Sequence, residues 1–205
     1  MNTVFKMVFL LLFSLEVSQG AQNLSNVDAP SRKAPEQFVV ISYTNTIGFV
    51  HKVQEAGIRI CADVTGSNLV GRLSLNRKLK PKDLAHSFAR AIPEYTFRVV
   101  AGTDTLVMEP KENQTLSWEV STSIENTPFW DFIDAHDGLS LHRHEITTFY
   151  RGFASFVDFP VSVSSENELV SDLLTKLIAQ SQTACWIVYR TPRNILVLTI
   201  AGVKQ

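Results

Sequence analysis

Hydrophobic positions recur along the chain every second residue, as in a strand, or every three to four residues, as in a helix. The same order of strand-like and helix-like segments occurs twice. Residues 73–110 read as a short alternating strand, an amphipathic helix, and two strands joined by a polar turn. Residues 161–200 repeat that succession about 88 residues later, which points to duplicated folding modules. Leu73, Phe88 and Phe97 fall against Val161, Leu177 and Trp186.

The first half has clear start and stop signals around its periodic segments. Thr44 and Asn45 are natural helix caps, Gly57 suits the end of a helix, and Pro81 suits the first turn of one. The predicted elements are a strand at 38–43, a helix ending near 57, strands at 58–63 and 72–75, a helix from 81, and strands at 95–99 and 106–108.

The second half shows the same order, with one addition. A capping box at Ser165–Glu168 indicates the start of a helix, and Thr127–Pro128 indicates another that stops at Asp137–Gly138. Residues 149–156 have no clear counterpart in the first half and are predicted to be an insertion. The other predicted elements are strands at 116–120, 139–141, 185–189 and 195–200.

Together these patterns predict an α+β fold. We expect two tandem βαβ-βαββ modules, at 37–112 and 113–205, each a small mixed sheet packed with two helices.

The first 36 residues differ in composition from the rest. Lys6 precedes an apolar run of about nine residues, whereas a bilayer span needs roughly 20. Small residues, Ser18 and Gly20, follow the run. This order is typical of a secretory signal peptide at 1–20, and 21–36 is predicted to be a flexible leader. The mature protein is expected to be periplasmic or secreted, with no stable membrane span.

Charge and cysteine content limit the classes of function. The chain has 19 basic and 20 acidic residues and a formal charge of −1, without the basic excess of a nucleic-acid binder. In an oxidising compartment, the two cysteines could form a Cys61–Cys185 disulfide. Alternatively, each could be a small buried apolar residue.

A polar cluster in the second half is the one candidate for metal chemistry. His142 and His144 would point the same way on a strand, and His136 or Asp134 could complete a coordination sphere. The alternative is a solvated polar face opposite Leu139 and Leu141. The sequence indicates no cofactor, and no nucleophile elbow or phosphate-binding glycine loop occurs, so an enzyme is not expected.

Aromatic residues crowd the predicted insertion and are candidates for a binding patch. The alternative is a strand that completes the second core. Unpaired strand edges are a further candidate contact surface, because they accept a partner strand. The aromatic candidates are Phe149, Tyr150, Phe153 and Phe156.

Each half resembles the secretin and TonB short N-terminal domain. The features shared are a helix followed by Gly57-Ile-Arg-Ile or Gly138-Leu-Ser-Leu, and a final hairpin such as Tyr95–Val99 with Asp104–Val107. The resemblance implies small modules that form interaction surfaces with other periplasmic proteins. We therefore expect a non-catalytic binding or assembly protein with a protein partner in the cell envelope. The alternative is a metal-dependent hydrolase or metal-binding protein with its site at 134–144.

Overall fold

A computed structural model of the protein describes residues 38–135, 139–151, 159–181 and 184–202. These residues all lie within one compact unit, Glu36–Gln205. The predicted signal peptide, leader and module boundary at 37 fall outside them. Within the described residues, no helix is both long enough and apolar enough to cross a bilayer.

The first half contains the seven predicted elements in the predicted order. They are β1 (Phe38–Tyr43), α1 (Thr46–Glu55), β2 (Ile60–Asp63), β3 (Gly71–Asn76), α2 (Pro81–Ala91), β4 (Tyr95–Val99) and β5 (Leu106–Pro110).

Local signals explain why these helices begin and end where they do. Asn45 caps α1, its side-chain oxygen accepting a hydrogen bond from the Gly48 amide at 2.6 Å. Gly57 follows the helix with a φ of 84°, a left-handed conformation that glycine adopts without strain. Pro81 is the first residue of α2, where its missing N–H costs nothing.

The second half departs more from expectation. Its elements are β6 (Glu119–Pro128), a π-helical turn (Asp131–Ala135), a 3-10 helix (Leu141–His144), β7 (Ile146–Arg151), β8 (Pro160–Leu169), α3 (Val170–Ala179), β9 (Ala184–Arg190) and β10 (Leu196–Gly202).

Thr127 and Pro128 end β6, where they pair with the first residues of β8, and helical backbone follows them directly from Phe129 to Ala135, as predicted. The other predicted helix start in this half is wrong, because β8 continues through it in its pairing with β6. The predicted capping box Ser165–Glu168 lies inside β8. Helix α3 begins only at Val170, without a side-chain cap.

The segment around the histidines was also wrongly predicted. Leu139 and Leu141 belong to a turn and a 3-10 helix, although both are buried in the core as expected of an apolar pair. Residues 149–156 are not simply an insertion, because Phe149 belongs to β7. That strand pairs in parallel with β10, as β2 pairs in parallel with β5.

The strands form one six-stranded sheet and two small ones. The central order is β4-β5-β2-β9-β10-β7, and β1–β3 and β6–β8 are separate antiparallel pairs. Within each half the last two strands are antiparallel, and β2 and β9 join the halves in parallel. The α+β class is confirmed. Two tandem modules remain our interpretation of these repeated pairings.

The central sheet separates two hydrophobic cores. Alternate residues of β2 face opposite sides, so Ile60 and Ala62 join one core while Cys61 joins the other. The first core contains Phe49 of α1 and Phe88 of α2, and the second contains Leu173, Leu177 and Trp186. The helices of the two halves therefore cover different faces of the sheet.

Candidate binding surface

The strand at one margin of the central sheet, β4, is covered on both faces. Phe97 packs beside Phe88 of α2 with ring centroids 5.4 Å apart. On the other face, Arg98 reaches α3, where one guanidinium nitrogen donates to Ser171 Oγ at 3.0 Å. We call β4, with α2 above it and α3 below it, the covered end of the sheet.

Arg98 is held at the covered end by two carboxylates. It pairs with Glu109 at 3.0 Å and also with Asp172 of α3. Burial lowers the pKa of Arg98, but the two carboxylates outweigh burial and leave that pKa above its usual value. The Glu109 side chain is only 5% exposed, so its charge depends on this partner.

The strand at the opposite margin, β7, is covered on one face only. Ile146 is buried in the second core. Phe149 lies on the other face and is 55% exposed. In register with it across the sheet are Thr199 of β10 and then Ile187 of β9. Exposure grows along this row, from the buried Ile187 to the half-buried Thr199 to the exposed Phe149, because α1 and α2 pack over the first-half strands.

Two further residues belong to the same exposed face. Thr147 lies two positions before Phe149 on β7 and is exposed. Ile195, immediately before β10, is 46% exposed, and its carbonyl accepts a hydrogen bond from Thr191 that continues the β9–β10 ladder. Strand alternation puts Ile195 on the same side as Thr199. We call Thr147, Phe149, Ile195 and Thr199 the open face. Val197, between Ile195 and Thr199 on the same side of β10, is 2% exposed.

The structure places the predicted aromatic residues unequally. Phe149 is on the open face, and the backbone of Tyr150 belongs to β7. Phe153 and Phe156 lie outside the described residues. The pattern therefore located an exposed aromatic residue, while the strand that carries it was recognisable only from its pairing with β10.

The histidines do not have the arrangement that the sequence predicts. His142 and His144 lie in a 3-10 helix, in which residues two positions apart are turned about 240° from each other. The His144 ring stacks on Trp118 with centroids 3.7 Å apart. The prediction that His142 and His144 point the same way is therefore wrong. Nowhere in the described ranges do three potential metal-binding side chains cluster. His136 and the side chain of Asp134 lie outside the described part of the structure.

A cleft that the sequence did not predict lies at the carboxyl ends of the central parallel strands. It has a volume of about 400 Å³ and is bounded by the start of α1, the loop after β2 and the end of β9. The buried carboxylate of Asp63 lies nearby and accepts hydrogen bonds from the Thr65 and Thr115 amides at 3.0 and 2.6 Å and from the Thr65 hydroxyl at 2.6 Å. Asp63 thus fixes the loop.

The structure also brings the two cysteines together. Cys61 and Cys185 lie on the neighbouring strands β2 and β9, and both are buried thiols. Their proximity is invisible in the sequence, because it follows from the pairing of strands from different halves.

No protein-family model, curated protein or solved structure matches the chain.

Proposed function

We propose that the protein is a periplasmic or secreted binding or assembly component without catalytic activity, which acts by contacting another protein. The observation that carries this proposal is the open face, where apolar side chains are exposed at one margin of an otherwise well-covered sheet. The signal-like N-terminus supports the compartment.

The open face offers two kinds of contact at once. Phe149 and Ile195 supply apolar surface, which proteins bury at the centre of their interfaces. Among the described strands, β7 has a single neighbour, β10, so its other backbone edge can accept an extended partner segment. An aromatic anchor beside a strand edge suits a protein or peptide partner better than a small polar molecule.

The buried charges support a non-catalytic role. Asp63 holds the loop after β2, and Glu109 is paired with Arg98. These two are the buried carboxylates of the described residues, and both are engaged in internal contacts. A general acid or base must instead reach a substrate.

Capture of partners by the immobilised mature protein tests this proposal. Periplasmic or culture extract would be passed over the wild-type protein, Phe149→Lys and a control variant, Val40→Lys. Val40 is a suitable control because it is 50% exposed and lies on β1, outside the central sheet.

We expect the wild-type protein and Val40→Lys to retain the same partner, and Phe149→Lys to lose at least nine-tenths of it, roughly the tenfold effect of 1.4 kcal/mol. Capture that is equal with all three proteins, or no capture at all, would contradict the proposed function.

A further inference from the structure

The junction between the two halves of the central sheet is short. Strands β2 and β9 pair at only two positions, Ala62 with Ile187 and Asp63 with Val188, whereas β9 and β10 pair at seven. At the next position the Trp186 amide donates to the sulfur of Cys61 at 3.4 Å. A side-chain sulfur therefore replaces a backbone carbonyl where the ladder ends.

The second cysteine lies beside that sulfur. Cys61 and Cys185 are both fully buried in the same core, on neighbouring strands and one register position apart. The Cα atoms of residues one register position apart on neighbouring strands are about 6 Å from each other, within the range of disulfides. The pair can therefore be bridged without moving the strands.

The surroundings make the two thiols unequal. Burial raises the pKa of Cys61 well above its usual value. The hydrogen bond from Cys61, followed by the charge of Arg59, leaves the pKa of Cys185 below its usual value despite burial. Arg59 donates to the Ala184 carbonyl at 3.4 Å, and its Nε is buried without a partner in the described structure. Cys185 thus carries the more acidic thiol of the buried pair.

We propose that Cys61 and Cys185 close to a disulfide that covalently joins the two halves of the protein where the β2–β9 ladder ends. The bridge forms during folding, before the second core closes over the pair: one cysteine thiolate attacks a small disulfide such as oxidised glutathione and releases one glutathione thiolate. The other cysteine thiolate then displaces the second glutathione from the mixed disulfide. One S–S bond forms and one breaks, and two protons and two electrons pass from the cysteines to glutathione.

The disulfide would add a covalent link between the two halves, where β2 and β9 pair at only two positions. It closes a loop of about 120 residues, and disulfides that close long loops restrict the unfolded chain most. The predicted export signal would deliver the pair to an oxidising compartment, where such bridges persist.

Peptide mapping of the oxidised wild-type protein tests the proposal without any substitution. The full chain, refolded in the presence of oxidised glutathione, is then unfolded, alkylated and digested with trypsin, without reduction. We expect a linked pair of peptides, 60–72 and 177–190, lighter than the sum of the separate peptides by two hydrogens. Alkylation of both cysteines, or glutathione adducts without the linked pair, would overturn the proposal.

Thermal unfolding gives a second, independent measurement. Reduction of the oxidised wild-type protein should lower Tm by roughly 10 °C. In Cys61→Ala and in Cys185→Ala, where no bridge can form, the same reduction should leave Tm unchanged. A wild-type Tm that does not respond to reduction would also overturn the proposal.

Discussion

The two edge strands of the central sheet, β4 and β7, differ in how far they are covered by the rest of the protein. At the covered end, β4 has Phe97 under α2 and Arg98 fixed against α3. At the other margin, β7 has only its inner face buried and exposes Phe149. A charge turned into the protein is one means by which natural sheets avoid pairing with a neighbour. Arg98 is such a charge on β4.

This difference indicates which margin is built for stability and which is available for binding. Covering a strand on both faces contributes to the free energy of folding, whereas an exposed aromatic side chain contributes little until a partner buries it. The same residue type should therefore matter very differently at the two places.

Truncation of one phenylalanine at each margin should show the largest contrast. Phe88→Ala removes a ring that is 1% exposed and should lower the free energy of unfolding by about 3–4 kcal/mol. Phe149→Ala removes a ring that is 55% exposed and should change the free energy by less than about 1 kcal/mol. Urea denaturation measures both, and equal losses would remove the distinction between the margins.

Loss of the charge network should be the next largest effect. Arg98→Ala leaves Glu109 buried without its partner and should destabilise the protein by about 2–3 kcal/mol in the same assay. Arg98→Lys keeps the charge but not the forked geometry and should cost less. If the alanine variant unfolds at the wild-type urea concentration, the ion pairs do not secure the covered end.

A smaller effect should appear at alkaline pH. Burial raises the pKa of Tyr95 in β4 above 10.0, and its hydroxyl donates to the Ser67 carbonyl at 2.8 Å. Because the folded-state pKa is the higher one, the contribution of Tyr95 is complete below the unfolded-state pKa and declines as pH rises through the folded-state value. Stability should therefore fall above about pH 10.

Tyr95→Phe is the control for that pH dependence. It should lose about 1 kcal/mol at neutral pH with the hydrogen bond, and its stability should fall less steeply above pH 10 than that of the wild-type protein. Parallel curves for the two proteins would assign the alkaline loss to other groups.

The first half was predictable because its local signals agree with its tertiary contacts. Asn45, Gly57 and Pro81 mark the helix ends at the positions where the structure has them. Strand β2 is apolar enough for its complete burial, and β4 alternates between apolar and polar residues. The hydrophobic pattern was therefore sufficient to predict both strands.

The second half was less predictable because long-range pairing overrides its local signals. Ser165–Glu168 has the sequence of a capping box, but pairing with β6 extends the strand to Leu169. The residues before and after the 3-10 helix, Ser140 and Glu145, adopt left-handed backbone conformations that are uncommon for these residue types. The alternation argument for His142 and His144 failed for that reason.

The same limit applies to the candidate sites. Phe149 was predicted as a binding residue from the local abundance of aromatic residues. Its exposure arises because α1 and α2 pack over the first-half strands and do not reach β7. The contact between Cys61 and Cys185 depends on β2 pairing with β9. Neither arrangement has a local signature, since both arise from contacts between distant parts of the chain.

Site-specific photo-cross-linking tests the open face most directly. A photoreactive phenylalanine analogue would replace Phe149 in one sample and, as the covered-end control, the exposed Arg90 on α2 in another. We predict one discrete protein adduct from position 149 in envelope or culture extract and none of that mass from position 90. Equal adducts from both positions, or none from position 149, would contradict the account.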